Sequence, residues 1–204
     1  MTDDKADLQP IARLYEESLE QHGLKPLGVG WRDEDSHRLR FDKLASVIDA
    51  EGRSSINDLG CGYGALHDYL ISRGIEVSLF RGYDISDKML AQAKVRVPHG
   101  DFRKSSVLDE TADYSFASGI FNVRLQEDEA NWLGHIERTL DNLFQHSSRG
   151  FAFNLLSTYV DYREPQLYYG DPLYFFDYCK RRYSRRVSLL HDYPLFEWTI
   201  TVRK

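Results

Sequence analysis

Three glycines and three carboxylates give this sequence its most specific chemistry. The segment Asp58-Leu59-Gly60-Cys61-Gly62-Tyr63-Gly64 sets glycines at alternate positions between an apolar run and a helical pattern. Glycine lets the backbone turn sharply and lets a ligand approach it closely. The helix start beyond offers unpaired N–H groups and a partial positive charge. That is the outline of a nucleotide-type site. Asp84 lies 20 residues past Gly64, a distance at which an acidic residue can meet a ribose diol. Asp101 stands beside Phe102 in His99-Gly100-Asp101-Phe102. A carboxylate there could accept from an adenine amino group while the ring packs on the base.

The turn alone does not choose its ligand. Gly60, Gly62 and Ala65 also satisfy the dinucleotide pattern G-x-G-x-x-G/A. A plain tight turn in an α/β fold would use the same glycines. Asp58 separates the ligands, because a carboxylate just before the turn repels a pyrophosphate. S-adenosylmethionine brings a sulfonium and an amino group instead, and an acidic wall suits both.

The elements around these residues follow from hydrophobic period. Leu8, Ile11, Leu14, Tyr15 and Leu19 recur at helical spacing up to Gly23. A second helix is expected from 33–36 to about 48. From Ser54 onward, short apolar runs alternate with helical stretches. Strands are expected at 56–59, within 75–84, at 97–99, 112–118 and 150–156. Helices are expected at 65–73, 86–95 and 127–146. Asp171-Pro172 opens a further helix toward Arg182, and strands at 187–191 and 196–202 close the chain. The short link between the last two implies an antiparallel hairpin, since a parallel crossover needs a dozen residues or more. The expected fold is α/β and Rossmann-like: a seven-stranded, mostly parallel sheet with an antiparallel C-terminal hairpin and helices on both faces. Residues 1–50 read as an N-terminal helical cap and 51–204 as the ligand-binding core.

In this order the motifs resemble those of class I S-adenosylmethionine-dependent methyltransferases. Asp58-Leu59-Gly60-Cys61-Gly62-Tyr63-Gly64 is similar to the family's first motif, D-x-G-x-G-x-G. Tyr83-Asp84-Ile85-Ser86 resembles the second, in which the acidic residue holds the ribose hydroxyls. Gly100-Asp101-Phe102 resembles the adenine-binding third, and 113–118 the fourth strand. The resemblance implies methyl transfer by in-line displacement, with S-adenosylhomocysteine as product. It implies cofactor contacts from Asp58, Gly60, Cys61, Gly62, Gly64, Asp84, Ile85, Asp101, Phe102 and Ser118.

Around that core the signals are weaker. Trp31 and Arg40 could close over the amino-acid part of the cofactor, or belong to a solvated helix face. Asn122 after the fourth strand, and Tyr159 and Tyr168 after the fifth, could wall an acceptor pocket; the tyrosines could equally be packing. The fourth-strand loop lacks [DNS]-P-P-[YF], the sequence used to methylate planar amino groups of adenine or glutamine. No catalytic base is apparent, and the seven histidines form no metal or triad pattern.

Composition limits the partners. The chain has 204 residues, 42% hydrophobic, with a net charge of -6. An acidic chain gains little from phosphate backbones, so a small-molecule acceptor is favoured over nucleic acid. The one basic cluster, 180–186, is the opening for an RNA or protein acceptor, or simply charge gathered at a helix C-terminus. A cofactor-binding subunit without catalysis is a third reading. Two cysteines far apart imply no disulfide framework. With no apolar stretch of membrane-spanning length and no signal peptide, a cytoplasmic monomer or homodimer is expected.

Overall fold

The computed structural model describes residues 6–23, 33–49 and 52–204. Among the described residues, two helices, α1 (Gln9–His22) and α2 (Glu34–Ala45), precede the first strand. Then come β1 (Ser54–Leu59), α3 (Ala65–Ser72), β2 (Val77–Asp84), α4 (Asp87–Arg96), β3 (Asp101–Lys104) and β4 (Ala112–Ala117). The chain ends with α5 (Glu129–Gln145), β5 (Ser147–Leu156), α6 (Pro172–Arg182), β6 (Arg186–Leu190) and β7 (Glu197–Arg203).

Local chemistry fixes the helix starts. Asp33, Ser86, Asp128 and Asp171 each accept a backbone N–H from the first turn of α2, α4, α5 and α6, caps worth about 0.5–2 kcal/mol each. Helix α1, which follows Leu8, has no side-chain cap, and neither has α3. The latter begins at Gly64, in left-handed conformation at φ 81°. Its first amides therefore face the glycine turn.

The seven strands lie in the order β3-β2-β1-β4-β5-β7-β6. All neighbours are parallel except β7, which runs antiparallel between β5 and β6. The order reverses between β1 and β4. In such sheets the crevice for a ligand opens at that point, beyond the carboxyl ends of the strands.

Each face of the sheet buries one core. On one side, Trp132, Ile136 and Leu140 of α5 and Phe175 of α6 cover Phe151 and Phe153 of β5 and Trp198 of β7. On the other, Phe41 and Leu44 of α2, Leu66 and Leu70 of α3 and Leu90 of α4 cover Ile56, Phe80 and Phe116. Helix α2 thus joins the core under the sheet, and its contacts reach β5, β7 and α3.

The third strand departs from expectation. Residues 97–99 form no strand; pairing with β2 starts at Asp101, opposite Arg81. Pro98 has no N–H for a ladder. The Gly100 N–H instead closes a turn onto the Val97 carbonyl at 3.0 Å.

Candidate functional site

A cavity opens beyond the ends of β1, β2 and β4, and its wall carries Asp58, Gly60, Cys61, Gly62, Asp84, Ile85 and Ser118. Asp58 is the penultimate residue of β1 and is buried. The chain then turns through Gly60 at φ 73° and Gly62 at φ 51°, values that suit glycine and strain other residues. A Cβ on Gly60 would collide with Cγ2 of Ile120, so the loop after β4 lies directly on the turn.

Asp84 ends β2 and ties the turn in place. Its Oδ2 accepts the Gly62 N–H at 2.8 Å, and its Oδ1 accepts the Ser86 N–H at 2.9 Å. Each oxygen keeps lone-pair capacity toward the cavity. Across the cavity, the hydroxyl oxygen of Ser118 is buried without a hydrogen-bond partner. A buried polar atom left that way is costly, and such atoms mark places where something else binds.

Helix α1 roofs the cavity with Leu8, Ile11, Ala12 and Tyr15. Polar contacts help to pin it. Glu127 accepts the Asp7 N–H at 3.0 Å, Glu16 accepts the Ser86 hydroxyl at 2.8 Å, and Glu20 pairs with Lys88 at 2.6 Å. The remaining wall comes from His37 and Phe41 of α2, Ser105 and Ser106 after β3, and His135 and Thr139 of α5. None of these was singled out from the sequence. The apolar stripe of α1 was visible, but its period could not tell a core face from a cavity roof.

Burial sets the charge of the wall. Desolvation, helped by Asp84, pushes the Asp58 carboxyl from 3.8 up to about 8, and burial also raises Asp84. His37 and His135 are pushed down to about 4 by burial, with Arg40 and Arg138 adding to it, so both rings are neutral at pH 7. Tyr15 is pushed up to about 12 by burial and Asp84 and keeps its proton. Burial raises the Cys61 thiol too, which makes it inert as a nucleophile. At pH 7 the Asp58 carboxyl therefore keeps its proton, and a cation placed beside it would draw that proton off.

Other predicted residues lie elsewhere. Gly64 caps α3 and packs toward Val97 and Ala93. Asp101 is the first residue of β3 and pairs with Arg103 at 2.7 Å. Phe102 is buried in the core with Phe80. Because β3 starts at Asp101, it is Ser105 and Ser106, beyond its end, that reach the cavity. Arg40 does not close over an anion; its guanidinium is buried against Glu197. Asn122 faces the chain, accepting the Leu156 N–H at 3.1 Å. Tyr168 is buried in the core, and Tyr159 is exposed beside His191. Trp31 lies outside the described residues. Among the described residues, no group of three or more His, Cys, Asp or Glu could hold a metal ion. No described helix is long and apolar enough to cross a membrane.

Comparison with known proteins agrees with this geometry. Residues 57–146 match a family model described as a methyltransferase domain. A curated protein of Mycobacterium tuberculosis, named "Putative methyltransferase Rv1506c", is 51% identical over 163 residues, covering 78% of this chain and 98% of the relative. The chain belongs to the S-adenosylmethionine-dependent methyltransferase family. Solved structures of similar fold include magnesium protoporphyrin IX methyltransferase from Synechocystis PCC 6803 with bound SAH. That structure has a TM-score of 0.61 and 14% identity, over 83% of this chain and 84% of that one. A DhpI complex with SAM and HEP aligns with a TM-score of 0.65 and 12% identity, over 95% and 94% of the two chains. Both share the methyltransferase fold with this chain.

Proposed function

We propose that this methyltransferase binds S-adenosylmethionine in the cavity beyond β1, β2 and β4 and methylates a small-molecule acceptor. The observation that carries the reading is the meeting of Asp58, Asp84 and the unpartnered Ser118 hydroxyl around the turn of Gly60 and Gly62. A ribose diol suits the remaining lone pairs of Asp84. An ammonium group suits Asp58, whose pKa is raised by burial and by Asp84 and would fall beside a cation. Ser106 and Ser118 offer hydroxyls for a base edge, while the Ser105 hydroxyl is held by the Val107 backbone. We assign base recognition to this group rather than to Asp101 and Phe102.

The bound cofactor supplies a methyl group already activated by its sulfonium sulfur. What this chain must add is position and dryness. The apolar roof of α1 excludes water, and the neutral His37 and His135 place no positive charge against the cofactor's own.

The enclosure favours a small acceptor. Leu8, Ile11, Ala12 and Tyr15 cover the cavity, and a covered site suits a small molecule better than a polymer. The basic cluster argues against RNA. Arg181 pairs with Asp177 at 2.7 Å and Arg182 with Asp141 at 2.6 Å. Lys180 and Arg186 donate to the Arg185 and Lys204 carbonyls.

Thermal denaturation with added ligands tests the reading. S-adenosylmethionine and S-adenosylhomocysteine should each raise the melting temperature, and NAD should not. A rise with NAD alone would overturn it.

A further inference from the structure

A chain of buried hydrogen bonds runs from α2, through the sheet, to the cavity. It starts at Arg40, whose Nε donates to Glu197 Oε1 at 2.7 Å and whose Nη2 donates to the same oxygen. The other oxygen of Glu197 accepts the Asn154 amide N–H at 2.9 Å. Asn154 Oδ1 then accepts the backbone N–H of Gly119 at 2.7 Å. All three side chains are buried, at 7%, 2% and 0% exposure.

The fold explains how these distant residues meet. Asn154 and Glu197 lie on the adjacent antiparallel strands β5 and β7, near the end of their ladder. Neighbouring Phe153 and Trp198 point into the core under α5 and α6. Strand alternation therefore turns Asn154 and Glu197 to the opposite face, where α2 packs and brings Arg40.

Such a chain is a poor way to gain stability. A buried ion pair loses hydration that its attraction barely returns, and apolar residues of similar volume often serve as well or better. What apolar residues cannot do is hold a backbone N–H in one place. The N–H held here belongs to Gly119, at φ 72°, on the cavity wall. The next residue, Ile120, also lines the cavity and sits against Gly60. From the same loop, Asn122 accepts the Leu156 N–H, so both ends of this short segment are clamped to β5.

We propose that Arg40, Glu197 and Asn154 form a positioning relay. It holds Gly119 and Ile120 against the glycine turn and so sets the shape of the cofactor cavity. None of the three lines the cavity; they act through Gly119. The inference rests on the cofactor reading above.

Two variants test it. Asn154→Leu keeps the volume and removes both hydrogen bonds. Arg40→Met with Glu197→Leu replaces the ion pair by apolar groups and leaves Asn154 without its support. S-adenosylhomocysteine binding is measured by calorimetric titration at 15 °C, with circular dichroism to show that each variant is folded. Asp141→Asn, which breaks a surface pair with Arg182, serves as a control for general loss of stability. The relay predicts at least tenfold weaker binding in both folded variants and unchanged binding in the control. Binding within twofold of wild type in either folded variant would overturn it. So would failure of both to fold, which would assign these bonds to the core alone. No binding by the wild-type protein would contradict the cofactor reading instead.

Discussion

The backbone N–H of Gly62 donates to Oδ2 of Asp84 at 2.8 Å, joining the turn after β1 to the end of β2. The bond makes one unit of two motifs far apart in sequence. Asp84 has two tasks: it shapes the turn, and it presents its remaining lone pairs to the cavity.

Replacing Asp84 should therefore cost more than a contact. Asp84→Ala removes two charge-assisted bonds expected to a ribose, each worth about 1.5–3 kcal/mol, and releases the turn. Affinity for S-adenosylhomocysteine should fall at least 100-fold in a calorimetric titration. Unchanged affinity would remove Asp84 from the ribose.

Two glycines separate strain from contact. Gly60→Ala meets Ile120 and forces a positive φ, whereas Gly74→Ala, also at positive φ, meets nothing within 4 Å. Left-handed strain alone costs about 1–2 kcal/mol, and overpacking adds about 1–3 kcal/mol. Urea denaturation should show the larger loss in Gly60→Ala, and that variant alone should lose cofactor affinity. Equal losses would show that Ile120 moves aside freely.

Asp58 predicts a pH dependence. Its carboxyl is raised from 3.8 to about 8 in the fold. Between those values the folded chain keeps a proton that the unfolded chain has lost. Its contribution to stability is thus complete below about pH 4 and is lost as pH rises through about 8. The difference in unfolding free energy between wild type and Asp58→Asn should trace that fall. A cationic ligand lowers the pKa again, so binding at pH 7 releases a proton. Titrations in phosphate and in Tris should give different heats; equal heats would mean that Asp58 is not beside the ligand's charge.

The basic cluster predicts little. Exposed pairs such as those of Arg181 and Arg182 are worth about 0–1 kcal/mol. Arg181→Ala with Arg182→Ala should change the melting temperature slightly and leave cofactor affinity intact. RNA binding with a steep salt slope that this variant abolishes would speak for a nucleic-acid acceptor.

What the sequence made legible was local. Asp58, Gly60 and Gly62 sit within one turn, and Asp84 closes the next strand, so spacing alone brought them together. The alternation of strand and helix, and the short link before β7, announced the sheet. Failures came where structure depends on distant partners. Asp101 and Phe102 were expected beyond the third strand, but Pro98 and Gly100 delay that strand until Asp101 itself. Arg40 seemed available because Glu197, its partner, lies 157 residues away. Asn122 as an acceptor wall, and Tyr168 as either wall or packing, were open readings; the loops after β4 and β5 are stitched together by the bond from the Tyr168 N–H to the Asn122 carbonyl at 2.9 Å. His135 and Thr139 lie beside the apolar stripe of α5, and no local pattern marks where that stripe meets a cavity.

The methyl donor is expected in the cavity under α1. Ultraviolet photolabelling with methyl-labelled S-adenosylmethionine, followed by peptide mapping, tests that placement. Label that excess S-adenosylhomocysteine displaces should appear in peptides carrying Tyr15, Cys61 with Tyr63, or Ser118 with Ile120. Displaceable label confined to other peptides, such as that of α6, would contradict it.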